Sequence, residues 1–76
     1  MFFYFALANA IIELAVKDYK TALEYHFYHP MKREYADDVA ELEQFFRSQW
    51  YGTLTALDGE VLMAEVRRMV RKEMGV

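Results

Sequence analysis

His26 and His29 stand three residues apart, a separation at which two imidazoles on one helix can share a metal ion. Two histidines need at least a third ligand, and Glu24 does not fall on the same side. Histidines near a helix C-terminus also complement its dipole, so no metal or cofactor is expected. Ser48 could be a nucleophile, but it lacks a glycine-flanked elbow and a nearby base, and it reads as a helix N-cap. Asp37, Asp38, Glu41 and Glu43 could be paired carboxylates for acid–base work or for calcium. Helical carboxylates without a glycine-turn loop do not build an EF-hand site. They form either a solvated face or an acidic surface that imitates a phosphate backbone. Arg67, Arg68, Arg71 and Lys72 could contact phosphates, yet cations also suit the C-terminal end of a helix. Nothing here joins a nucleophile, a base and an oxyanion donor, so the chain reads as non-enzymatic.

One further group is aromatic. Phe45, Phe46, Trp50 and Tyr51 place four large rings within seven residues. The phenylalanines read as core. Trp50 and Tyr51 fit either a partner pocket or the corner of the core, with the indole N–H bonded to a carbonyl.

The elements that position these residues follow from spacing. Phe5, Ala8, Ile12, Ala15, Tyr19, Ala22 and His26 recur in steps of three and four, the period of one face of a helix. Alanine at every second contact allows another helix to approach closely. A first helix is therefore expected from about Phe2 to about Phe27, ending before Pro30 because the residue preceding proline avoids helical dihedrals. On its exposed side Glu13 should pair with Lys17 and Lys20 with Glu24. A second helix should start near Arg33 or Glu34 and bury Tyr35, Val39, Leu42 and Phe46. Ser48 should cap a short segment holding Trp50, Tyr51 and Leu54. The last helix begins near Leu57, with either Thr55 or Asp58 as its cap, and should bury Val61, Leu62, Val66, Met69 and Val70. The fold class is all-α: three main helices, a short helical corner near Trp50, and the long first helix as spine.

Composition sets further bounds. A single domain of 76 residues buries a modest share of its surface. Yet 55% of the chain is hydrophobic and 17% aromatic, more than one small core needs. The alanine ladder Ala8, Ala15 and Ala22 together with this surplus predicts self-association as a homodimer, although the same ladder serves an internal contact equally well. The absence of cysteine excludes disulfides and thiolate chemistry and suits a cytoplasmic location. Twelve acidic against nine basic residues, a net charge of -3, argues against nucleic acid as the main partner. Met1 to Ile12 carries no charge, but it lacks a basic n-region and is too short to span a bilayer.

The stretch Phe45-Phe46-Arg47-Ser48-Gln49-Trp50, then Leu54-Thr55 and Leu57-Asp58-Gly59-Glu60, resembles small proteins encoded in prophages and mobile elements of Gram-positive anaerobes. The resemblance covers about Ala10 to Lys72 and includes Lys17-Asp18-Tyr19 in the first helix, whereas Phe2-Phe3-Tyr4-Phe5 departs from it. That group has no assigned activity, so no functional residue carries over. The context implies a small protein that binds or inhibits a larger protein partner, as anti-CRISPR proteins do. The expected contact residues are Asp37, Asp38, Glu41, Glu43, Trp50 and Tyr51. The second reading is a nucleic-acid-associated protein that uses the basic end of its last helix.

Overall fold

The computed structural model describes the backbone of residues 2–75 and the side chains of residues 6–75. Within them the chain forms four helices and no strand: α1 (Phe2–Tyr28), α2 (Arg33–Phe46), α3 (Gln49–Leu54) and α4 (Gly59–Met74). This is the expected small all-α bundle. With 27 residues, α1 is about 40 Å long at 1.5 Å per residue, close to the 43 Å long axis of the molecule. It is the spine, and α2, α3 and α4 all pack on it.

Directions follow from paired side chains. Tyr25 stacks on Tyr35 while Tyr19 bonds to Glu43, so α2 runs antiparallel to α1. Arg47 pairs with Glu60 and Glu43 with Arg67, so α4 runs antiparallel to α2 and parallel to α1.

The stripe on α1 is buried within a single chain. Ala8, Ile12, Ala15, Tyr19 and Ala22 are all at most 9% exposed. Of the two roles open to Ala8, Ala15 and Ala22, the structure assigns the internal contact: their small side chains are buried within the monomer. Phe5, the first position of the stripe, lies outside the described side chains. Around the stripe, Tyr19, Phe46, Met63 and Val66 are fully enclosed, with Ile12 and Tyr51 beside them.

Local chemistry sets the boundaries. Ser48 Oγ accepts from the Tyr51 N–H at 3.1 Å and its hydroxyl donates to the Phe45 carbonyl at 2.6 Å, closing α2 and opening α3. Asp58 is the cap of α4, accepting from the Glu60 N–H at 2.9 Å, whereas the Thr55 hydroxyl accepts from the Leu57 N–H in the preceding turn. Gly59 follows, and its Cα faces the Phe46 carbonyl so closely that a Cβ there would overlap it. Gly75 closes α4 at φ 75°.

The buried side of α4 agrees with expectation at Val66 and Val70, with Leu62 packed against the core, and differs elsewhere. Gly59, Met63, Val66 and Val70 are buried, while Val61 and Met69 are exposed. Val61 sits two residues, some 200° of helix rotation, from both Gly59 and Met63, and so points away from α1 and α2. The tight approach at Gly59 fixes this rotation. Lys20 also departs from expectation, reaching Glu73 on α4 at 3.0 Å rather than pairing with Glu24.

Candidate functional site

The four carboxylates expected to form one face occupy two adjoining surfaces that meet at Glu41. Glu43 turns inward. Its Oε2 accepts from the Tyr19 hydroxyl at 2.7 Å and lies 3.4 Å from the Arg67 guanidinium, so it ties the three main helices together. Burial first, and then this bond to Glu43, push the Tyr19 phenol up to about 12. Glu43 thus braces the bundle while still lining the outer hollow of α2. Asp37 lies on the outer face of α2, in a hollow lined also by Ala40, Glu41, Glu43, Gln44 and Arg47. Asp38 and Glu41 line the groove between α1 and α2.

That groove encloses about 450 Å³ and is lined by Asp18, Thr21, Ala22 and Tyr25 of α1 and Tyr35, Asp38, Glu41 and Leu42 of α2. Three features combine in it. Asp18, Asp38 and Glu41 supply three carboxylates, and no lysine, arginine or histidine lines it among the described residues. Tyr25 and Tyr35 stack with centroids 5.3 Å apart and form one wall. Ala22 is short enough to leave the floor open. Asp18 carries no site signal in the sequence beyond its place in the Lys17-Asp18-Tyr19 segment. The available signal was its position seven residues before Tyr25, the same side of the helix, but its partners on α2 depend on the antiparallel register.

The aromatic corner is also divided. Tyr51 is 3% exposed and packs against Phe45 and Phe46, so it is a core residue and not a partner anchor. Its hydroxyl is buried with no hydrogen-bond partner among the described residues, and burial together with the Asp58 carboxylate raises its pKa. Trp50 is exposed, with its ring edge-on to Phe45 at 5.6 Å. The two residues are neighbours in sequence and both touch the Phe45 ring, but Tyr51 is inside the core and Trp50 on its surface.

Among the cations, Arg67 is held by Glu43, Arg68 by Glu65 at 2.6 Å, and Arg47 by Glu60 and Glu43. The Arg47 and Arg68 guanidiniums hold Glu60 and Glu65 below the usual carboxylate range. Half of the basic cluster expected near the C-terminus is therefore engaged in ion pairs. No group of three or more histidine or carboxylate side chains converges for a metal among the described residues, and His26 and His29 gain no third ligand there. Nor is any described helix long and apolar enough to cross a membrane. Comparison of the chain with protein-family models, curated proteins and solved structures gives no match.

Proposed function

We propose that this chain is a non-enzymatic protein-binding module whose α1–α2 groove receives a basic segment of a larger partner. The observation that carries the reading is the lining of the groove: three carboxylates beside a stacked tyrosine pair, with no cation among the described lining residues to neutralise them. A guanidinium suits both features, since it bonds carboxylates in a fork and lies flat on aromatic faces. The partner would act in the cytoplasm, the compartment expected for a chain without cysteine. The mobile-element context implied by the resemblance makes inhibition of that partner the natural consequence of occupying its basic surface. The alternative, nucleic-acid association through the end of α4, is weakened because Arg67 and Arg68 are already paired with acids.

Affinity capture from the producing cell tests the reading. The wild type should retain a partner at low salt, and Asp38→Lys combined with Glu41→Lys should reduce retention roughly tenfold or more without changing helix content. Equal retention by the double variant would place the interface elsewhere.

A further inference from the structure

The end of the bundle at the α1–α2 turn combines two features that the groove does not use. It is apolar: Met31 is 95% exposed, Tyr28 65% and Phe27 46%, with the last two rings in edge contact at 5.5 Å. It is also basic. Nine lysines and arginines are present, and four of them, Lys20, Arg47, Arg67 and Arg68, make ion pairs. Of the five with no ion pair among the described residues, Lys32 and Arg33 follow Met31 directly, and Arg71 and Lys72 lie in the last turns of α4. Because α4 runs parallel to α1, those turns reach the same end, where Arg71 and Phe27 line one hollow. Only Lys17 lies elsewhere. Glu34, in the first turn of α2, offsets one of these charges.

We propose that this end docks peripherally on an anionic lipid surface. Met31 and Phe27 would enter the boundary between headgroups and acyl chains. Tyr28 would sit at headgroup level, and the surrounding cations would face lipid phosphates. The proposal does not rest on the groove reading. A bilayer fits better than a nucleic acid because the most exposed side chain is a saturated thioether, which gains by leaving water but offers no ring face for bases to stack on. Charge distribution supports the orientation: the whole chain carries a net charge of -3, and with these four cations at one end the body is more negative still, so an anionic surface repels the body and attracts the basic end.

Sedimentation with vesicles tests this. The full chain should pellet with vesicles of phosphatidylcholine and phosphatidylglycerol in equal parts, should not pellet with phosphatidylcholine alone, and should release at high salt. Met31→Asp should weaken binding roughly tenfold or more, and so should Lys32→Glu combined with Arg33→Glu. All three sites are exposed, so circular dichroism should show unchanged helix content. Absence of pelleting with the mixed vesicles would overturn the proposal, as would pelleting that survives Met31→Asp. Binding of a labelled single-stranded oligonucleotide in place of vesicles would also overturn it and assign this end to nucleic acid.

Discussion

Two tyrosines, both nearly absent from the surface, hold opposite positions in the energetics. The Tyr19 hydroxyl bonds to Glu43, and Arg67 completes the cluster. Tyr19→Phe leaves Glu43 half-buried with one partner fewer, and should lower unfolding stability by about 1 kcal/mol. The Tyr51 hydroxyl is buried without a partner among the described residues. Tyr51→Phe removes a desolvated polar atom while keeping the ring contacts, and should leave stability unchanged or raise it by up to about 1 kcal/mol. Urea denaturation of the two variants side by side checks both, and a larger loss at Tyr51 than at Tyr19 would contradict the assignment. The same phenols set the alkaline limit. Tyr19 ionises at about 12 in the fold against 10.0 when free, so the folded state retains a proton that the unfolded state loses. Its contribution is intact below pH 10 and declines as pH rises through 12, by at most about 3 kcal/mol. Tyr51, also raised by burial, acts with the same sign. Tyr19→Phe should flatten this alkaline decline in thermal melts recorded across the range.

At the scale of elements, the start of α4 approaches the end of α2 tightly at Gly59. Gly59→Ala sets a methyl against the Phe46 carbonyl, backbone against backbone, and should cost about 1–3 kcal/mol in denaturant titrations. Ser48→Ala removes the cap of α3 and should cost about 1 kcal/mol. Ala15→Glu should unfold the monomer rather than separate a dimer, because Ala15 lies inside the core. These positions also mark how far the sequence could be read. The spine, the break before Pro30, the Ser48 cap and the core role of Phe46 follow from local pattern, because periodicity and capping act within a few residues. The rotation of α4 does not: Val61 and Met63 are both apolar, and only the contact of Gly59 with another element selects between them. The destination of the alanine ladder was equally open, since a close-packing stripe looks the same whether its partner is the same chain or a second one. The groove lay still further from view. Asp18 and Asp38 stand twenty residues apart and share it only once α1 and α2 adopt their register.

For the whole molecule, the charge pattern gives the functional account its content. Most arginines are tied to acids, and they brace the bundle, whereas Asp18, Asp38 and Glu41 gather around a groove with no counter-charge among the described residues lining it. A site of this kind depends on charge, so binding there should weaken as salt rises. The most direct measurement is a two-dimensional amide NMR titration of the full chain with an arginine-rich peptide at low and high salt. The account predicts saturable, salt-sensitive shifts centred on Asp18, Thr21, Tyr25, Tyr35, Asp38 and Glu41, lost in the Asp38→Lys, Glu41→Lys variant. Shifts centred on Trp50 or spread evenly over the surface, or none that saturate, would contradict it.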